Sequence, residues 1–166
     1  MSASYRTLLL LRHGKSDYPP GVDDHQRPLA PRGVREAALA GDWLRAHAPG
    51  IDAVLCSTAV RTRRTLAEAA VEATVDYRDD LYETTPAVLV DAVRAVDDDV
   101  ATLLVVGHEP TLSQTTLLLA PDRDSDAAQQ IAEKFPTSAV AVLTVRGGWQ
   151  DLEPGRAELT DFHIPR

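Results

Sequence analysis

Four consecutive leucines, Leu8 to Leu11, end abruptly on Arg12, His13 and Gly14. Successive side chains of a strand point to opposite faces, so an unbroken apolar run of this length describes a strand buried on both sides. Thr7 to Leu11 is the first of four such runs, with Asp52 to Cys56, Ala101 to Val106 and Ala139 to Val145. These four are expected to form the sheet. Between them lie segments with helical spacing and boundary residues: Pro31 to His47, Ala59 to Ala73 after Ser57 and Thr58, Pro86 to Val96 after Thr85, Pro110 to Leu119, and Ser125 to Lys134. Alternation of strands and helices predicts an α/β fold, a three-layer αβα sandwich with a largely parallel central sheet and helices on both faces. Gly147-Gly148 marks a turn that could lead to a final short strand, and the tail from Asp151 to Arg166 carries the weakest pattern. Leu39, Trp43 and Leu44, and Leu117 to Leu119, have the spacing of core residues.

At 166 residues and 44% hydrophobic, the chain fits a single domain, residues 1–166, able to bury a core without metals or crosslinks. Its formal charge of −8 argues against a nucleic-acid-binding surface, so an anionic ligand needs a local basic pocket. The single cysteine, Cys56, excludes an internal disulfide and fits the cytoplasm. No stretch reaches the roughly 18 apolar residues of a membrane span, and no membrane partner is expected.

In open α/β sheets ligands bind beyond the carboxyl ends of the strands. Three of the four runs lead into basic residues there: Arg12-His13-Gly14, then Ser57 to Thr62 with Arg61, then Gly107-His108-Glu109-Pro110. If those ends are neighbours, two guanidinium forks, two imidazoles and a helix N-terminus form a receptor for a tetrahedral oxyanion such as phosphate. Gly14 and Gly107 suit a close backbone approach. Singly, each histidine reads as a hydrogen-bonded structural residue and the Arg61–Arg64 stretch as a solvated helix face; their coincidence at strand ends is what points to function.

This ordered set resembles the histidine phosphatase superfamily, which includes phosphohistidine phosphatases and, more distantly, phosphoglycerate mutases. The resemblance rests on Arg12-His13-Gly14, on Ser57-x-x-x-Arg61-Thr62, on Gly107-His108-x-Pro110, and on Arg27-Pro28-Leu29 with Gly33, similar to an element of the short phosphohistidine phosphatase (SixA-like) subgroup. It covers residues 7 to about 145. It implies His13 as the nucleophile, forming a phosphohistidine intermediate that water hydrolyses, with Arg12, Arg61 and a protonated His108 holding the phosphoryl oxygens and no cofactor. Gly14 and Ser16 are further candidate substrate contacts. Glu83 resembles the family's acid; its bland reading is a loop carboxylate capping the helix near Pro86, and Asp17 is the alternative acid. The short segment between Arg61 and His108 leaves no room for a large lid, which favours a phosphohistidine on a protein over a small phosphate ester.

Three rivals stand beside this reading. A cysteine phosphatase would place arginine six positions after cysteine, but that position after Cys56 is Thr62, so Cys56 is expected to be a buried strand residue. A metal enzyme is disfavoured because His25, His47 and His163 share no ligand spacing, and the aspartates at 23–24, 79–80 and 97–99 read as solvated turns. A non-catalytic phosphate or phosphoprotein binder would keep Arg12 and Arg61 but has no need of His13. Oligomeric state is not encoded in any of these features.

Overall fold

The computed structural model describes residues 5–166, so the first four residues of the expected 1–166 domain lie outside the described part. In chain order the elements are β1 (Tyr5–Arg12), α1 (Pro31–His47), β2 (Ala53–Ser57), α2 (Val60–Ala69), β3 (Thr74–Arg78), α3 (Pro86–Arg94), β4 (Thr102–Gly107), α4 (Thr111–Leu119), α5 (Asp126–Glu133), β5 (Val140–Arg146) and β6 (Ala157–His163). They build one sheet in the order β3-β2-β4-β1-β5-β6. The first four are mutually parallel where they pair, and β5 runs antiparallel to both β1 and β6. The chain is thus a mixed α/β protein with a largely parallel sheet.

The leucine run shows why both faces must be covered. Leu8 and Leu10 join Leu103, Val105 and Leu143 in a cluster packed under α3, α4 and α5 through Leu89, Val93, Leu112 and Ile131. Leu9 and Leu11 point the other way, joining Leu104, Val106, Val54 and Cys56 under α1 and α2 through Ala40, Leu44 and Leu66. All four leucines are fully buried. Transfer of such side chains from water contributes about 1.5–3 kcal/mol each, which fixes β1 at the centre of the sheet.

Two strands extend the four with apolar runs: β3, and β6, which is the final short strand expected after the Gly147-Gly148 turn. β3 and β6 alternate or stay largely exposed along their length, as edge strands do, and so have no continuous apolar run. α2 stops at Ala69, earlier than its composition suggests, because Ala70 adopts a left-handed conformation at φ 55° that ends the helix. Of the residues with core spacing, Leu44 and Leu119 are buried, whereas Leu39 and Leu118 are exposed. Trp43 lies between: its ring stacks on His163 of β6 at 4.6 Å and on His47 at 4.9 Å.

Candidate active site

The β1 and β4 registers decide where the site lies. Arg12 pairs with Gly107, so the two strands end level, and the His13 N–H donates to the Gly107 carbonyl at 3.1 Å. This brings His13 and His108 side by side, with ring centroids 5.3 Å apart. β2 pairs on the other edge of β4 and delivers Ser57, whose Oγ lies 2.8 Å from His108 Nε2. Arg61 follows in the first turn of α2, whose N-cap residue, Ala59, supplies no side-chain cap.

His13 is 8% exposed, and its Nδ1 lies 2.7 Å from the Gly14 carbonyl. A carbonyl only accepts, so Nδ1 carries the proton and Nε2 carries the free lone pair. Burial, with the positive charges of Arg12 and Arg61 as lesser causes, pushes the His13 pKa down to about 3. The ring is therefore neutral at pH 7. Gly14 fixes this arrangement: its N–H donates to Thr65 Oγ1 at 2.8 Å, and a Cβ there would meet the Gly33 carbonyl at 2.9 Å.

His108 is likewise neutral in the unliganded protein, held near pKa 4 mainly by burial and then by Arg61. The protonated form expected of it in action is the one that a bound phosphoryl dianion would favour.

The two arginines are both engaged with the protein. Arg12 donates from Nη1 to the Phe135 carbonyl at 2.8 Å, while its Nε is buried without an acceptor. Arg61 donates to the Asp24 carbonyl at 2.7 Å and to Asp24 Oδ2 at 3.0 Å. Each guanidinium carries five N–H donors, so donors remain on both.

Asp24 corrects the reading of residues 23–24 as a solvated turn. Its carboxylate accepts from Tyr82 Oη at 2.6 Å, from Arg61, and from Arg27 Nη1 at 2.8 Å, and these bonds hold its pKa near 2. The Tyr82 ring in turn lies edge-on to His108 at 5.7 Å and to His25 at 4.7 Å. Nε2 of His25 is 3.0 Å from Thr58 Oγ1, which donates to Asp79 at 2.6 Å, so the 79–80 pair is also more than a solvated turn. Sequence reasoning missed Asp24, His25 and Tyr82 as site neighbours, and had Ser57 only as the first residue of the segment that carries Arg61. For Asp24 the available signal was its place three residues before Arg27-Pro28-Leu29.

The remaining candidates sit at the rim. Ser16 is 5% exposed and its Oγ accepts from Arg27, whose guanidinium also stacks on Tyr18 at 3.8 Å. Asp17 is exposed and uses its backbone, accepting from Arg27 Nε at 3.1 Å. Glu83 is exposed, in the left-handed region at φ 51°, directly after Tyr82. It does not cap α3, because Thr85 Oγ1 takes that role by accepting from the Val88 N–H at 3.4 Å. Cys56 is fully buried and burial pushes its thiol up to about 12, which excludes it as a nucleophile.

Residues 8–145 match the histidine phosphatase superfamily (branch 1). The chain belongs to that superfamily. Among related histidine phosphatase structures, a SixA-type phosphohistidine phosphatase candidate from Nakamurella multipartitia is 42% identical, covers 99% of both chains and superposes with a TM-score of 0.91. A second SixA candidate, from Agrobacterium tumefaciens, is 28% identical over 96% of this chain and 99% of its own, with a TM-score of 0.80. An uncharacterised protein of Mycobacterium tuberculosis is 55% identical over 158 residues, which is 94% of this chain and all of the relative. As a histidine phosphatase the chain is a phosphoryl-group hydrolase. Among the described residues no group of three or more His, Cys, Asp or Glu is placed to hold a metal ion, and no helix is long and apolar enough to cross a membrane.

Proposed function

We propose that this histidine phosphatase removes phosphoryl groups from phosphohistidine on proteins, through a phosphoenzyme formed on His13. The observation that carries the proposal is the His13 ring itself: proton fixed on Nδ1 by Gly14, lone pair on Nε2, neutral at working pH. In the first step Nε2 attacks phosphorus in line and forms a P–N bond while the substrate P–N bond breaks; the departing imidazole takes a proton. In the second, water attacks the same phosphorus, the P–Nε2 bond breaks, and phosphate leaves with His13 restored. Arg12, Arg61 and His108 donate to the oxygens that gather charge, and Gly14 and Ser16 are further proposed substrate contacts.

Glu83 is the proposed proton donor, and its release from helix capping supports that assignment. Phosphohistidine has a reactive P–N bond, so the donor matters less for it than for an alkyl phosphate. Between α2 and β4 the chain has only β3, a one-turn helix at Asp79–Leu81 and α3, which leaves the site without a large cover and suits a phosphorylated protein. The similarity to the Nakamurella SixA candidate favours the same substrate class. The whole chain acts in this proposal as one cytoplasmic catalytic domain.

The test compares phosphate release by wild type and His13→Ala from a phosphohistidine-bearing protein, an aryl phosphate and 3-phosphoglycerate. Release is expected to be fastest from phosphohistidine and to fall at least about 1000-fold in the variant. Release mainly from the small esters would replace the substrate class; no release with binding intact would make the protein a phosphoprotein binder.

A further inference from the structure

Beside the proposed nucleophile lies a concavity of about 600 Å³, lined by Arg12, Lys15, Arg32, Lys134 and Arg166 with one carboxylate, Glu36. On a protein of formal charge −8 this is a local concentration of positive charge. Glu36 does not neutralise it. Its side chain is 12% exposed and shared between Arg32 at 3.7 Å and Arg166 at 4.0 Å. Lys15 and Lys134 have no carboxylate partner among the described residues, and the buried Nε of Arg12 has no acceptor.

The backbone adds to the same field. α1 begins at this pocket, and its N-cap, Ala30, has no side-chain cap. Its first turn carries Arg32 in place of an acidic residue. The N-terminal end of α1 thus brings its positive dipole end close to the pocket with no acidic residue in the first turn, and Glu36, one turn further on, is the one carboxylate in the lining. Like charges gathered in this way repel one another unless an external anion joins them.

Arg12 lines this pocket and ends β1 directly before His13, and Lys15 is two residues from His13, at most about 7 Å along the chain. We propose that this pocket is a second anion subsite that takes an acidic side chain two or three residues from the phosphohistidine of a protein substrate. The assignment rests on the phosphohistidine reading above and deepens it. One extended residue spans about 3.3 Å, so carboxylates at that separation reach the pocket while the phosphoryl group meets His13. The subsite explains how an acidic protein engages an acidic phosphoprotein: attraction is focused at one edge of the active site.

The experiment uses two phosphohistidine peptides that differ only in flanking residues, aspartate in one and asparagine in the other. Wild type should favour the acidic peptide by roughly 5- to 10-fold in kcat/KM, and added salt should erode the preference. In Lys15→Ala/Lys134→Ala the preference should disappear while turnover of the asparagine peptide and of an aryl phosphate stays within about twofold. Equal rates in wild type, or a preference that survives in the variant, overturns the proposal. If neither peptide is cleaved but the aryl phosphate is, the phosphohistidine reading fails, and the subsite is decided by inhibition. Tripolyphosphate should then inhibit aryl phosphate turnover more strongly than inorganic phosphate does, and the double variant should lose that advantage; an unchanged ratio overturns the subsite.

Discussion

His13 suits the proposed role of nucleophile because burial and two nearby guanidinium groups disfavour a second proton on its ring, while the Gly14 carbonyl, which by itself favours the charged form, fixes the one proton on Nδ1. NMR titration of the free protein should therefore show the His13 and His108 ring signals unchanged between about pH 5 and 8, with His108 shifting into that range once phosphate binds. The same shifts affect stability. Both folded pKa values lie below the ordinary 6.5, so between about pH 4 and 6.5 the unfolded chain binds more protons and stability rises with pH. The melting temperature should fall as pH drops from 6.5 to 5, and His108→Gln should make that fall shallower.

Asp24 sets the resting state of Arg61. Removing its charge in Asp24→Asn should leave Arg61 freer to hold an anion, strengthening inhibition by inorganic phosphate about 3- to 10-fold; an unchanged constant would show that Arg61 does not contact the anion. Glu83→Gln should slow alkyl phosphate hydrolysis about 100-fold and phosphohistidine hydrolysis only severalfold, as a proton donor for poor leaving groups would. Equal losses on both substrates would remove Glu83 from that role. Arg12, His13, Arg61 and His108 were legible in the sequence because each directly follows or lies within a turn of an apolar run. Asp24 was not, because its partner Arg61 lies 37 residues further on and a charged loop looks the same whether solvated or paired.

At the level of elements, the close approach of α1 and α2 depends on Gly41, where a Cβ would lie 2.0 Å from the Ala69 carbonyl. Backbone cannot yield as a side-chain tip can. Gly41→Ala should cost about 2 kcal/mol and lower the melting temperature by roughly 4–8 °C, with activity per folded molecule retained. The five helices and four inner strands could be read from periodicity because burial imposes it. β3 and β6 carry no such periodicity, since an edge strand exposed on its faces is under no demand for an apolar run; β6 was signalled only by the Gly147-Gly148 turn, and the positions of both depend on pairing with β2 and β5.

Across the whole molecule, a sheet buried on both faces leaves only its strand ends for chemistry, and an acidic surface leaves few places for an anion to settle. Those two constraints converge on the ends of β1, β2 and β4. In the proposed mechanism every turnover passes through a phosphoryl group on His13. Rapid acid-free quenching of the enzyme during turnover of a radiolabelled phosphoryl donor tests it most directly. An alkali-stable, acid-labile label mapping to His13, absent in His13→Ala, is the predicted result; turnover without a labelled enzyme, or a label on another residue, would contradict it.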